Sequence, residues 1–305
     1  MIRIAHISDV HLGPLPPVKA SEMTSKRLVG YNSWMFRRRG IHDPAITAEI
    51  IRDIRATAPD HLMVTGDLVN IALKREFINA ASWLQHAGAP EWISLVPGNH
   101  DAYVPVAWED GLGLWGDYMT GDLAVPGARP TGSVAMAFPY VRQRRNIALI
   151  GVTTAVPTRP GRATGTLGPA QLETLAATLS NLRQRGFFRL LMIHHPPLPG
   201  LAKQRKALTD AAELAGILQD EGCDLVVHGH NHTSMRHKLA SRHGTVHVIG
   251  VPSASSNGAR NSEPSAWNEY TIRRVSGQWQ CTVSTRVWQA AQRAFVPQTS
   301  YSLEP

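Results

Sequence analysis

Five short motifs along the chain combine carboxylate, amide and imidazole side chains, the groups that bind divalent metal ions. They are Asp9-Val10-His11, Gly66-Asp67, Gly98-Asn99-His100-Asp101, His194-His195-Pro196 and Gly229-His230-Asn231-His232. Oxygen and imidazole ligands without thiolate suit Mn²⁺, Fe²⁺, Co²⁺, Ni²⁺ or Zn²⁺. The candidate ligands are Asp9, His11, Asp67, Asn99, His194, His230 and His232. They are too many for one ion with open positions, so they indicate two ions, about 3.5–4 Å apart, that share a bridging carboxylate.

The apolar pattern predicts that each motif begins where a β-strand ends. Predicted strands cover residues 3–8, 61–65, 92–96, 146–152, 188–193, 224–228 and 245–250, and a C-terminal antiparallel pair covers 269–274 and 279–285. Helical patterns begin at Pro44, cover residues 75–87, follow Pro169 and cover residues 209–219, so strands and helices alternate as in an α/β fold. Ligands bind at the carboxyl ends of strands in such sheets. Residues i and i+2 of an extended chain also point the same way, so Asp9 and His11 can share an ion, as can His230 and His232.

Composition excludes several classes of protein. The chain has 305 residues, of which 43% are hydrophobic and 18% charged, as in a globular protein. Its formal charge of +8 favours anionic partners such as phosphate esters, nucleic acid or an anionic membrane. Two cysteines exclude a disulfide framework and favour a reducing compartment. The first residues are typical of a strand and not of a signal peptide, and no apolar run is long enough to span a bilayer. We expect a cytoplasmic protein, with contact to the inner membrane as an alternative.

In their order along the chain, the five motifs resemble those of the calcineurin-like metallophosphoesterases. The resemblance extends from Asp9 to His232, and Gly250-Val251-Pro252-Ser253 is also similar to the family. It implies a four-layer α/β/β/α sandwich, in which two mixed β-sheets are flanked by helices, and a binuclear phosphoric ester hydrolase. The metals would be two of manganese, iron, zinc or cobalt. The family domain would cover residues 1–286, with inserted loops at 13–40 and 102–145, and residues 287–305 would form a tail.

The resemblance also implies roles for the site residues. It assigns Asp9, His11, Asp67 and His232 to one metal ion, and Asp67, Asn99, His194 and His230 to the other, with Asp67 bridging. His194 is preferred over His195 because the family's ligand is two residues before the proline; a one-residue slip at the strand end would reverse that choice. Hydroxide generated between the ions would attack phosphorus. His100 would contact the phosphate or protonate the leaving group, and Asp101 would orient His100. The other histidines, His42 among them, are expected to be structural, with His195 and His228 intermediate.

The inserted loops bear on the choice of substrate. Residues 19–39 combine Lys26, Arg27 and Arg37–Arg39 with Tyr31, Trp34, Met35 and Phe36, which suits a solvated loop, a substrate lid or attachment to anionic lipid. Trp108, Trp115 and Tyr118, in the second inserted loop, could extend the wall formed by such a lid or simply pack it. Residues 153–168 resemble those of bacterial cyclic-nucleotide and glycerophosphodiester phosphodiesterases, which favours a small-molecule phosphodiesterase. The alternatives are a membrane-peripheral pyrophosphatase similar to UDP-diacylglucosamine hydrolases and a non-enzymatic phosphate-binding module. A nuclease ranks lower, since no nucleic-acid-binding module is recognisable.

Overall fold

Two mixed six-stranded sheets form the centre of the fold in a computed structural model that describes residues 1–125 and 138–304. The first sheet has the order β12-β11-β10-β1-β2-β3, and the second has the order β4-β5-β6-β7-β9-β8. The strands are β1 (Ile2–Ile7), β2 (His61–Val64), β3 (Ile93–Leu95), β4 (Tyr140–Arg144), β5 (Ile147–Gly151), β6 (Phe188–Met192), β7 (Leu225–His228), β8 (Met235–Ser241), β9 (Gly244–Gly250), β10 (Ala266–Val275), β11 (Gln278–Gln289) and β12 (Ala294–Leu303). The helices are α1 (Ser25–Ser33), α2 (Pro44–Thr57), α3 (Lys74–Ala87), α4 (Pro169–Gln184) and α5 (Ala211–Glu221).

Alternation of side chains along the strands divides the interior into two cores. Leu149 and Leu190 of the second sheet face a core shared with the first sheet, α2 and α3. Their strand neighbours Ile150 and Leu191 face the opposite side, where they pack with α4 and α5. This is the period-two pattern of strands buried on both faces. The predicted sandwich of two mixed sheets flanked by helices is confirmed.

The parallel strands bring the five motifs to one edge of the sandwich. β1, β2 and β3 are parallel neighbours, as are β5, β6, β7 and β9. Backbone hydrogen bonds join the segments beyond the strand ends: the Asp9 amide donates to the Gly66 carbonyl at 2.9 Å, and the Gly229 amide donates to the His194 carbonyl at 3.1 Å. The strand ends therefore deliver the motifs together, as the sequence predicts.

Several elements differ from the sequence-based expectation. The inserted loop 13–40 contains helix α1 and a π-helical turn, Trp34–Arg38. The inserted loop 102–145 contains short 3₁₀ turns and β4, and its residues 126–137 lie outside the described part of the chain. Strand β8 is also not predicted from the sequence. It alternates half-buried and exposed residues at the edge of its sheet, so its hydrophobic signal is weak.

The expectation that residues 287–305 form a tail is wrong for most of that segment. Residues 294–303 form β12, which pairs with β11 along its length. The sequence does not predict this strand because Pro297 and the polar residues after it are unusual in strands; proline has no backbone N–H to donate to a neighbouring strand. The structure accommodates Pro297 opposite Arg286, at a shift in the register of this pairing on an edge strand.

The loop aromatics mostly serve packing. Trp115 is fully buried, its ring centre lies 5.1 Å from that of Phe77 of α3 in a tilted arrangement, and its Nε1 donates to the Phe77 carbonyl. Tyr118 is also buried, and its hydroxyl donates to the Gly88 carbonyl at 3.1 Å. Among the helices of the described residues, none combines the length and apolar character that a bilayer crossing requires.

Candidate metal centre

Four of the predicted ligands form one half of a compact buried cluster. The Nε2 atoms of His11 and His232 lie 3.2 Å apart. His232 Nε2 is 3.1 Å from Asp9 Oδ1, and His11 Nε2 is 3.8 Å from Asp67 Oδ2. Asp9, His11 and Asp67 are almost completely buried, whereas His232 is partly exposed. These are the four residues expected to hold the first ion.

The other predicted ligands surround the opposite side of Asp67. His194 Nε2 lies 3.4 Å from Asp67 Oδ2 and 3.2 Å from Asn99 Oδ1. His230 Nδ1 lies 3.3 Å from His194 Nε2. Asp67, His194 and His230 place potential ligand atoms within 4.8 Å of one another. The Asp67 carboxylate thus stands between the two groups, where a bridging ligand is expected.

The backbone at these positions is unusual. Five of the predicted ligands have positive φ angles, at Asp9 (52°), His11 (42°), Asp67 (55°), His230 (69°) and His232 (58°). Left-handed backbone is uncommon for residues other than glycine and costs about 1–3 kcal/mol at each position. Such strain concentrates at functional sites, where the surrounding structure holds it in place. Here it turns side chains at the strand ends toward a single point.

Asp101 does not orient His100 as predicted; its contacts give it a different role. Its carboxylate accepts hydrogen bonds from four backbone amides, those of Asp67, Leu68, Val69 and Gly98, at 2.8–3.1 Å. Two oxygens engaged by four donors leave no lone pair directed at an imidazole. Asp101 therefore holds together the loops that carry Asp67 and Asn99, and it is a positioning residue.

The ring of His100 has other partners. Its Nδ1 lies 2.5 Å from the Asn70 carbonyl oxygen, so Nδ1 carries the proton and Nε2 is left as an acceptor. Arg38 Nη1 lies 3.3 Å from Nδ1 and 3.5 Å from Nε2. The His100 backbone amide also donates to Asp67 Oδ1 at 2.7 Å, which fixes that carboxylate. His100 therefore lies beside the cluster, as predicted, with Asn70 as its orienting group.

The two neighbouring histidines of the His-His-Pro motif point in different directions. His194 directs Nε2 into the cluster, and its Nδ1 lies 2.6 Å from the Thr65 carbonyl oxygen. His195 places Nδ1 2.7 Å from Thr154 Oγ1 and Nε2 3.1 Å from the Ala163 carbonyl oxygen. Both ring nitrogens of His195 are therefore engaged away from Asp67. This geometry supports His194 as the ligand.

The buried charges in the cluster depend on one another. Burial acts to raise the pKa of Asp67, but His194 and His100 outweigh it and hold that pKa well below its usual value. Burial acts to lower the pKa of His194, but Asp67 and Asp9 outweigh it and raise that pKa to about 9. Burial holds the pKa values of His11 and His230 well below the usual value for histidine. Metal ions bind ionised carboxylates and neutral imidazoles, so Asp67, His11 and His230 are in the binding state near pH 7, whereas His194 would release a proton when an ion binds.

The donor set fits a pair of divalent cations. Among the described residues, no donor is aligned for a hydrogen bond to the buried Asp9 Oδ1, although His232 Nε2 lies 3.1 Å away; the other oxygen of this carboxylate, Oδ2, accepts from the His230 amide at 2.8 Å. A buried carboxylate oxygen without a donor is costly unless a cation compensates for it. Three of the predicted histidine ligands, His11, His194 and His230, also have one ring nitrogen within hydrogen-bond distance of a backbone carbonyl. That arrangement is typical of metal-binding histidines.

His42, which we expect from the sequence to be a structural histidine, lies at the cluster. Its ring centre is 4.5 Å from that of His11, and it can group with His11 and His232 around an ion. Ser255 Oγ lies 2.7 Å from its Nδ1 and fixes the ring. His42 stands alone, immediately before the Asp43-Pro44 helix start, so no ligand spacing marks it.

A cationic cavity of about 280 Å³ lies over the cluster. His11, Asp67, Asn99, His100, His230 and His232 line its floor, and Arg37, Arg38, Arg162, Arg205 and Lys206 line its walls. Among the described residues, none of these five cations forms an ion pair with a carboxylate. Arg38 also has a buried Nε atom without a hydrogen-bond partner. Arg162, Arg205 and Lys206 were not singled out from the sequence, because isolated basic residues there resemble ordinary surface residues.

Comparison with known proteins identifies the family. A model of the calcineurin-like phosphoesterase family matches residues 2–234, more than half of the chain. The chain therefore belongs to the calcineurin-like phosphoesterase family. The predicted class, a binuclear metal-dependent phosphoric ester hydrolase, is confirmed at this level, without the identity of the metals. A sequence search against curated proteins finds no match.

Solved structures share the fold at low sequence identity. A dimetal phosphatase from Danio rerio is 12% identical, with a TM-score of 0.61, and the alignment covers 97% of this chain and 98% of that one. Purple acid phosphatase PPD1 from yellow lupin is 13% identical, with a TM-score of 0.56 and coverage of 99% and 53%. The NAD nucleotidase of Haemophilus influenzae is 13% identical, with a TM-score of 0.52 and coverage of 98% and 53%. The chain spans about half the length of these last two proteins.

The two histidines of the His-His-Pro motif give a first prediction. We expect His194→Ala to lower the metal content of manganese-loaded protein by about half, because one of two ions loses a ligand. We expect His195→Ala to keep its metal, because both of its ring nitrogens bond elsewhere. Metal content is measured by plasma mass spectrometry on folded protein. Loss of metal from His195→Ala alone would reverse the assignment.

Close packing at Gly98 gives a second prediction. A Cβ atom at Gly98 would collide with Asp67, and it would lie 2.7 Å from His194 Cε1. Gly98→Ala should therefore cost about 1–3 kcal/mol and lower the melting temperature by several degrees. Gly216→Ala is the matched control, since Gly216 lies in α5 with open space around it and alanine is the better helix former. Equal melting temperatures in differential scanning calorimetry would show that the Gly98 contact is unimportant.

Proposed function

We propose that the protein is a small-molecule phosphodiesterase, within the phosphoesterase activity of its family. The observation that carries the proposal is the cavity over the ligand cluster, whose floor is the predicted metal centre and whose walls are cationic. Its volume of about 280 Å³ is close to the lower end of the range for small-molecule sites. Two separate segments, residues 29–38 and 161–163, contribute to its lining. A diester presents a substituent on each of two oxygens, and these walls offer surfaces beyond the phosphate for both.

The residues of the site divide the work between binding and chemistry. Asp9, His11, Asp67, Asn99, His194, His230 and His232 would hold two divalent ions. Such ions supply Lewis acidity and lower the pKa of water. The chain itself supplies Arg38, Arg205 and Lys206, whose positive charges attract the phosphate group and balance its charge. These side chains approach from outside the five motifs: Arg38 lies in the inserted loop 13–40, and Arg205 and Lys206 lie between β6 and α5.

His100 is proposed to donate a proton to the leaving oxygen. Burial lowers the pKa of His100 to about 4, so the ring is neutral near pH 7. A phosphate anion in the cavity would raise that pKa, because an opposite charge favours the protonated ring. Asn70 holds Nδ1, which directs Nε2 as the atom that would exchange the proton. The substrate would thus create the condition under which His100 acts as an acid.

A pyrophosphatase acting on a nucleotide-linked lipid is the second candidate. The specific observation in its favour is the number of wall cations without a carboxylate partner. A pyrophosphate diester carries two negative charges where a phosphodiester carries one, and it would therefore use more of these cations. Hydrolysis of a nucleotide-linked lipid pyrophosphate and inactivity toward simple diesters would favour this candidate.

Two chromogenic esters distinguish a diesterase from a monoesterase. We expect manganese-loaded protein to hydrolyse bis-p-nitrophenyl phosphate at least about tenfold faster than p-nitrophenyl phosphate, in kcat/KM, because the walls can hold a second substituent. Protein stripped of metal by a chelator is the control for contaminating phosphatases. The opposite ranking would reject the diesterase proposal while leaving the family activity intact.

The proposed role of His100 predicts a dependence on the leaving group. His100→Ala should reduce kcat for an alkyl ester by about 10²–10⁴-fold, because a poor leaving group needs the proton. The loss should be much smaller for a p-nitrophenyl ester, whose leaving group is stable as an anion. Metal content must equal that of the parent enzyme. An equal loss for both esters would indicate a binding role instead.

A further inference from the structure

The segment at the rim of the cavity exposes several large apolar side chains and buries a lysine, although its Trp34 is buried. This rim segment, residues 25–39, comprises α1 and the π-helical turn that follows it. A surface helix usually buries apolar side chains and exposes charged ones. Here Lys26 is 7% exposed, whereas Phe36 is 75% exposed and Leu28 and Val29 are about half exposed. Four of the eight large apolar side chains exposed in the described residues lie on this segment.

The buried side of the rim segment is held to the protein by hydrogen bonds and packing, so the exposure of its apolar side chains is a fixed feature. Lys26 Nζ donates to Thr158 Oγ1 at 2.9 Å and lies 4.4 Å from the centre of the Tyr103 ring. Arg27 donates to the carbonyls of Ile71 and Ala72. A Cβ atom at Gly30 would lie 2.6 Å from Tyr103 Oη, so the helix packs directly on that ring. The segment therefore cannot rotate to bury its apolar side without breaking these contacts.

The exposed side combines apolar anchors with positive charge. Leu28, Met35 and Phe36 protrude from it, and Arg37 and Arg39 are exposed beside them. The sequence from Met23 to His42 contains five Lys and Arg residues and no carboxylate. Apolar side chains that enter the acyl region, flanked by cations at headgroup level, are the combination that binds an anionic bilayer surface.

The exposed side is also continuous with the cavity. Val29, Gly30, Ser33 and Arg37 line the cavity wall, so the same segment forms both surfaces. A π-helical turn at Trp34–Arg38 brings Arg38 to His100 while Phe36 points outward. We propose that the rim segment is a docking surface for an anionic lipid bilayer, which places the mouth of the cavity at the level of the lipid headgroups. The proposal concerns where the enzyme works and does not depend on whether its substrate is a diester or a pyrophosphate.

Vesicle sedimentation tests the docking surface. The metal-loaded full chain is mixed with vesicles of phosphatidylcholine alone or with phosphatidylglycerol added. We expect sedimentation with the anionic vesicles only, weakened by high salt. Leu28→Ser combined with Phe36→Ser should lower the partition constant at least about tenfold, and Arg39→Gln should lower it by about fivefold. Ile78→Ser is the matched control, because Ile78 on α3 is an apolar residue about as exposed as Leu28.

The outcomes separate this proposal from its alternatives. No sedimentation of the parent protein with anionic vesicles, or an equal loss in Ile78→Ser, would overturn it. A dimer in light scattering that dissociates when Leu28 and Phe36 become serine would overturn it in favour of a second copy of the chain. Turnover of a water-soluble chromogenic ester by the Leu28 and Phe36 variant should equal that of the parent. That readout keeps failure of the docking proposal distinct from failure of the proposed function.

Discussion

Two buried carboxylates, Asp9 and Asp67, impose the main constraint on this molecule. Both are sealed from solvent at the junction of the two sheets, where negative charge needs compensation. The pKa of His194, raised to about 9 by these carboxylates despite burial, shows that the site draws positive charge to this point. The Asp67 amide donates to Asp101, the Asp9 amide donates to the Gly66 carbonyl, and both residues have left-handed backbone; these features hold the two carboxylates in place despite their repulsion. The surrounding loops therefore hold uncompensated negative charge where a pair of cations would bind.

The sequence was informative where chemistry and strand ends coincide. Apolar runs followed directly by Asp, Asn or His identify both the parallel strands and the ligands, because each ligand lies immediately after the strand that positions it. The edge strands β8 and β12 have no such pattern. β8 alternates half-buried and exposed residues, and β12 contains Pro297. Helix α1 was hidden for a different reason, since its apolar residues lie on the exposed side and so do not mark a buried stripe.

Residues outside the motifs were the hardest to predict, because tertiary structure alone brings them to the site. His42 and Lys206 come from distant segments and have no characteristic neighbours in the sequence. The partner of His100 was also assigned wrongly: adjacency in sequence suggested Asp101, but the turn at residues 98–101 points that carboxylate at backbone amides. Sequence proximity predicts a shared loop, whereas side-chain direction depends on the backbone of that loop.

The ligands are divided between the two sheets. Asp9, Asp67 and Asn99 follow strands of the first sheet, and His194, His230 and His232 follow strands of the second. Each half-site therefore combines ligands from both layers, and the side chains packed between the layers, such as Leu149 and Leu190, help to set their alignment. A small slide of one layer over the other would therefore move ligands apart within both half-sites without unfolding either layer. Interior residues far from any substrate therefore govern the alignment of the catalytic machinery, and divergence within that core is restricted by geometry as well as by volume.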